Sequence, residues 1–231
     1  MIGVIGASGV YSIAAPVGGL VPVGSYSFDS DYTPTTMIHV TDDGLTMIVL
    51  SVNSTAYPYT ISKWSMSAPL DISTLTDNGN QFVFPDSVRA LHISSDGTRV
   101  YGATYQRTVY SYTLSTAYDL TTATLDETGV YNGEGTGMRD IVISPDGTTL
   151  YHLSADRTIY TYSLTVAGEV GAYTYTPLKD FTLPDVGATY YELNFSPDGL
   201  MMFAVSSSGG VSTFHKFILT VAFDVSTATF D

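Results

Sequence analysis

Eight of the 231 residues are Lys or Arg, and two of those eight share one column of an internal repeat. Arg89 and Arg139 each stand two positions before an apolar residue, Leu91 and Ile141, inside an alternating segment; Thr36 and Tyr191 continue the column in the other two copies. An arginine fork presents paired donors that match a carboxylate, so two arginines and a tyrosine at one mouth could grip an acidic sugar. Surface ion pairing is the plainer use of the same arginines, since Arg139 adjoins Asp140 and Arg89 follows Asp86 closely. His39 and His92 occupy a second column, filled by Val142 and Asn194 in the other copies. Two neutral imidazoles from neighbouring repeats could hold a metal. Histidines packed and hydrogen-bonded between repeats account for them more simply, because no third His or acid joins the column. The ligand-binding candidates are therefore Arg89, Arg139, Tyr191, His39 and His92, with no metal and no cofactor expected.

Other chemistries lack their residue patterns. There is no nucleophile elbow, no HExxH and no phosphate loop; "GASG" and "SSSGG" miss the strand and helix that a nucleotide loop needs. Asp29 with Asp31, and Asp42 with Asp43, are spaced like calcium ligands, but no twelve-residue loop closed by Glu surrounds them, and they read as turn acids. Asn53 and Asn194 match glycosylation acceptors. No enzyme is expected.

The elements that would position these side chains are strands. Tyr (18) and Phe (10), with abundant Thr, Ser and Val, favour pleated surfaces, and 44% hydrophobic against 13% charged residues is a globular balance. The formal charge of −14 repels phosphate backbones and anionic headgroups, so nucleic acid is not an expected partner. With no cysteine, disulfides and thiolate metal sites are excluded. The opening "MIGVIGASGVYSIAAPVGGL" has no basic residue before its apolar run and is punctuated by Gly3, Gly6 and Gly9, which fits a strand with turns rather than an export signal. No apolar run is long enough for a membrane helix.

Four motifs, "TDDGLTM", "SSDGTRV", "SPDGTTL" and "SPDGLMM", place glycines at 44, 97, 147 and 199, giving successive spacings of 53, 50 and 52 residues. Each is a tight turn in which Asp or Ser bonds nearby backbone and Gly takes the left-handed position. An alternating strand precedes each turn and an apolar strand follows; then comes a third strand carrying Trp64, Tyr112, Tyr162 or Phe217 in one column, read as core. Next stands an acid in register, Asp71, Asp119, Glu169 or Asp224, read as capping its own backbone before a fourth strand. Four short antiparallel strands per roughly 50 residues match a β-propeller blade. No segment has helical apolar spacing.

The expected fold is an all-β propeller in one domain, 1–231, of about five blades: an incomplete one over 1–30, then full repeats over 31–79, 80–130, 131–180 and 181–231. The alternative is a four-bladed ring with an N-terminal extension. An incomplete blade leaves an edge that invites pairing with another chain.

"YTLSTAYDLTTATL" with "ISPDGTTLYHL" resembles repeats of virion proteins of tailed, often marine, phages and of related bacterial surface proteins. More distantly the "SPDG" turns resemble those of bacterial surface and lactonase-type propellers. The likeness runs from about residue 25 to the last residue, and "VAGEVGAYTYTPL" in the third repeat departs from it, implying a remodelled outer edge there. The resemblance implies a non-enzymatic virion component: a tail fibre, receptor-binding module or decoration protein. Its implied location is the virion and its partners are other virion proteins or copies of itself, with a host-surface glycan as ligand and no membrane insertion. The alternatives are a bacterial surface or extracellular carbohydrate-binding propeller and a lactonase-like hydrolase.

Overall fold

A computed structural model describes residues 10–12, 25–27, 35–41, 43–52, 59–131, 135–175, 179–209 and 211–231. Two compact units divide the chain: residues 1–87 with 114–123, and residues 88–113 with 124–231. The first begins with β1 (Val10–Ser12) and β2 (Ser25–Ser27), paired as an antiparallel hairpin. Its blade sheet is β3 (Thr35–Val40), β4 (Thr46–Val52), β5 (Tyr59–Ser65) and β6 (Thr76–Val83), in that order. The second blade is β7 (Val88–Ile93), β8 (Arg99–Thr104), β9 (Thr108–Leu114) and β10 (Ala123–Val130). The third has β11 (Met138–Ile143), β12 (Thr149–Ser154) and β13 (Thr158–Leu164), with two pieces, β14 (Tyr173–Tyr175) and β15 (Phe181–Thr182), sharing the outer edge of β13. The fourth is β16 (Thr189–Phe195), β17 (Met201–Ser208), β18 (Val211–Leu219) and β19 (Ala228–Phe230).

These are the antiparallel four-strand meanders of a β-propeller, with no α-helix among the described residues. Four blades are present among the described residues, so the four-blade alternative with an N-terminal extension is the one that matches. Of the expected incomplete blade only the β1–β2 hairpin is described; the strand proposed over 1–9 lies outside the described residues. The third blade's outer edge is split, as its divergent sequence implied.

The turns between first and second strands repeat one hydrogen-bond pattern. In the third blade the Ser144 hydroxyl donates to Asp146 Oδ1 (2.6 Å), which also accepts from Thr148 N–H (3.0 Å), while Ser144 Oγ accepts from Thr149 N–H (2.9 Å). The second and fourth blades repeat it with Ser94/Asp96 and Ser196/Asp198, and the first uses Thr41/Asp43. The donated hydroxyl, followed by the backbone N–H, holds the carboxyls of Asp96, Asp146 and Asp198 below their ordinary range. Gly147 completes its turn at φ +73, where a side chain is strained.

Burial follows position in the blade. Second strands are covered on both faces and are almost wholly buried, which is why they read as apolar runs. Trp64, Tyr112, Tyr162 and Phe217 are all buried, as expected of a core column. Between the third and fourth blades Tyr151, Leu153 and Ile159 pack on Tyr190, Leu193, Met202 and Phe217. Two tyrosines fasten this stacking: Tyr101 donates to the Gly168 carbonyl of the third blade (3.0 Å) and Tyr151 to the Phe223 carbonyl of the fourth (2.5 Å). The acids Asp71, Asp119 and Asp224 cap short 3-10 turns by accepting from the N–H of Ser73, Thr121 and Ser226. Glu169 has no such turn behind it, since its repeat lacks the Ser-Thr signature.

Gly147→Ala imposes left-handed strain and drives a Cβ onto the Gly168 backbone. The expected cost is about 2 kcal/mol, seen as a melting temperature lower by roughly 4–8 °C; an unchanged melting temperature would show that the turn geometry is not enforced.

Candidate functional site

The inner strands share a defect. In every blade the register between first and second strand slips by one residue at the same place: between Thr35 and Met37, Val88 and Ala90, Met138 and Asp140, and Tyr190 and Glu192. The skipped residues are Thr36, Arg89, Arg139 and Tyr191, the column singled out in the sequence. A β-bulge leaves its extra residue unpaired and re-aims its side chain. Arg89, Arg139 and Tyr191 are therefore turned away from the sheet at the end of the blades where inner strands begin.

In the second unit three of these side chains converge. The Arg89 guanidinium carbon lies 5.9 Å from the Tyr105 ring centroid and that of Arg139 lies 5.4 Å from the same ring. Arg139 also stands 5.3 Å from the Tyr191 ring. The order is Arg89, Tyr105, Arg139, Tyr191, cations alternating with phenols. Ring faces attract cations by roughly 0.5–1 kcal/mol at exposed sites, which supports the arrangement without neutralising it. Arg89 and Tyr191 are exposed, whereas Arg139 is partly covered and its Nε is buried without a hydrogen-bond partner.

The expected ion-pair alternative does not account for these arginines. Among the described residues neither has an acidic partner. Asp86 accepts instead from Ser87 N–H (2.6 Å). Asp140, which is 2% exposed, turns both oxygens to backbone: Oδ1 accepts from Ile141 N–H and Oδ2 from Leu193 N–H of the fourth blade, each at 2.8 Å.

Tyr105 was not apparent from the repeat. It sits in the β8–β9 turn, where the third blade has Ala155, and its carbonyl accepts from Met138 N–H at the start of β11 (3.1 Å). Its ring lies on Gly137, where any Cβ would overlap it. A glycine two residues before Arg139 was the available signal. His39 is on β3 of the first unit opposite Ile48, and His92 is on β7 of the second opposite Tyr101. No group of three His, Cys, Asp or Glu among the described residues could hold a metal.

Arginines gather at one end of the blades of the second unit. Arg89, Arg107, Arg139 and Arg157 lie at the inner-strand start or in the adjacent second turn together with Asp86, Asp156 and Asp185, while Asp96, Asp146 and Asp198 lie at the opposite end with Arg99. Arg107 donates to the Gly135 carbonyl and Arg157 pairs with Asp185 at 3.2 Å.

Two further groups have the residue types of catalysis. Burial pushes the Asp140 carboxyl up to about 8, against the pull of its two N–H donors. Glu192, directly after the bulge in the next blade, is raised well above its ordinary range by burial and then by Asp140. The Ser206 hydroxyl lies 2.8 Å from His215 Nε2, but Ser206 is 1% exposed and the imidazole packs beside Tyr190 and Phe230. That pair is core packing rather than an open nucleophile.

No family model matches the chain, and no curated protein matches it. Among solved structures, a protein from Lactobacillus plantarum is similar with a TM-score of 0.53 and 15% identity, over 90% of this chain and 72% of that one. At that identity the likeness is one of fold.

The raised carboxyls set a pH dependence. Folded Asp140 and Glu192 keep protons that the unfolded chain has released, so folding binds protons and loses stability as pH rises towards the folded value. His152, pushed down to about 4 by burial, acts oppositely, but only below its unfolded value of 6.5. Melting temperature should therefore fall between about pH 6.5 and 8, and Asp140→Asn should flatten the fall. A melting temperature that rises over this window would contradict the assignment.

Proposed function

We propose that this chain is a non-catalytic recognition module that binds an anionic glycan through Arg89, Tyr105, Arg139 and Tyr191, as a receptor-binding, tail-fibre or decoration component of a phage virion. The observation that carries the binding reading is the bulge column: it presents two arginines around one phenol, with no acid to neutralise them among the described residues. A planar carboxylate suits that gap, because each guanidinium can donate in parallel to its oxygens while the phenol faces stack on the sugar ring. The buried, unpartnered Nε of Arg139 is a donor that such a ligand would satisfy. The virion setting is supported by the repeat resemblance. Other virion proteins or copies of the same chain are the macromolecular partners that setting entails.

A lactonase-like or glycosidic hydrolase is the second reading, favoured by the two raised carboxyls on adjacent inner strands. Asp140 is the weaker half of that pair as a catalyst, since both its oxygens already bind backbone N–H groups away from solvent. Lactone or glycoside turnover abolished by Glu192→Gln would favour this second reading.

Glycan-array binding, followed by calorimetry on the strongest acidic hit, tests the first. Arg139→Ala should weaken binding about 10–100-fold, the loss of a charge-assisted contact of roughly 1.5–3 kcal/mol. Added salt should weaken it further. Binding confined to neutral glycans, or unchanged by Arg139→Ala together with Arg89→Ala, would overturn it.

A further inference from the structure

A second feature of the same end of the blades extends the site. Between the second and third blades, Tyr105 from the β8–β9 turn fills the groove over Gly137. The corresponding residue of the β12–β13 turn is Ala155, and between the third and fourth blades the groove stays open as a cleft of about 520 Å³. That volume is within the roughly 300–1,000 Å³ of small-ligand sites.

Its lining is polar and uncharged on balance. Arg157 and Asp185 in its lining form an ion pair at 3.2 Å, and Thr189, Ser207 and Ser208 add hydroxyl side chains. Asp185 also accepts from Gly187 N–H (3.0 Å), and the Tyr190 hydroxyl donates to the Pro184 carbonyl (3.2 Å), so the loop that forms one wall is held on both sides. Thr189 and Ser207 are directly paired across β16 and β17. Thr189 precedes Tyr191 by two residues, so at most about 7 Å of chain separates the cleft from the arginine–tyrosine mouth, within the length of one sugar unit.

We infer that the cleft between the third and fourth blades is a second subsite, which takes a neutral, hydroxyl-rich sugar joined to the acidic sugar held at the mouth. The ligand class is then an acidic oligosaccharide rather than a lone uronic or sialic acid. Hydroxyl and paired-charge groups exchange hydrogen bonds with sugar hydroxyls, whereas a second carboxylate here would meet Asp185. This inference rests on the anionic-glycan reading of the mouth.

Calorimetry on the full chain with two probe pairs tests it: free glucuronate against a hyaluronan tetrasaccharide, and free sialic acid against 3′-sialyllactose. Within the pair that binds, the oligosaccharide should bind roughly tenfold more tightly than the free acid. Ala155→Tyr, which fills the cleft as Tyr105 fills its neighbour, should remove that advantage and leave the free acid's affinity unchanged. Ser207→Ala combined with Ser208→Ala provides the same comparison without added bulk. Equal affinities in the wild type, or an oligosaccharide advantage that survives both variants, overturn the subsite. Loss of free-acid binding in Arg139→Ala shows that the mouth stands whichever way the subsite falls; free-acid binding indifferent to Arg139→Ala brings down the mouth and the subsite with it.

Discussion

Each inner strand contains one residue more than its partner strand can pair. The surplus cannot join the ladder, because the neighbouring positions already hold the register that buries the blade faces. It has to bulge, and the same position bulges in all four blades. Residues that alternation alone would assign to a sheet face are thereby turned out at the end of the blades. Where the bulge carries Arg89, Arg139 and Tyr191, the result is a cationic and aromatic surface on an acidic chain.

The packing between blades makes that surface rigid. Tyr101 and Tyr151 each bond a carbonyl of the following blade, and Asp140 reaches across to Leu193 N–H two residues beyond the bulged Tyr191. Such ties fix the spacing of adjacent inner strands and with it the spacing of the bulged side chains. A site built this way is preorganised, so binding spends little on ordering its residues. The tie through Asp140 has a cost: a carboxyl buried at 2% exposure is held with its proton near neutral pH.

Much of this was legible in the sequence because repetition supplied internal comparison. The SxDG turns, the core column from Trp64 to Phe217 and three of the four capping acids recur with the same chemistry and appear as read, Glu169 being the exception. The column of Arg89, Arg139 and Tyr191 was visible for the same reason. What repetition could not show is where the copies differ. Tyr105 has Ala155 as its counterpart, and only the three-dimensional approach to Gly137 gives it a role. Asp140 looked like the partner of Arg139, its neighbour in sequence. The bulge at Arg139 re-aims that side chain, and the backbone N–H groups of Ile141 and of Leu193 in the next blade claim the Asp140 carboxylate instead. The blade count was also ambiguous, since a two-strand hairpin and a partial blade have the same sequence signature.

A crystal structure of the protein with bound glucuronate tests the central claim most directly. The account requires the carboxylate to lie between the Arg89 and Arg139 guanidinium groups, beside the Tyr105 ring, with both residues still bulged from β7 and β11. A glucuronate bound elsewhere, or the two arginines paired in register and neutralised by the protein's own carboxylates, would contradict it.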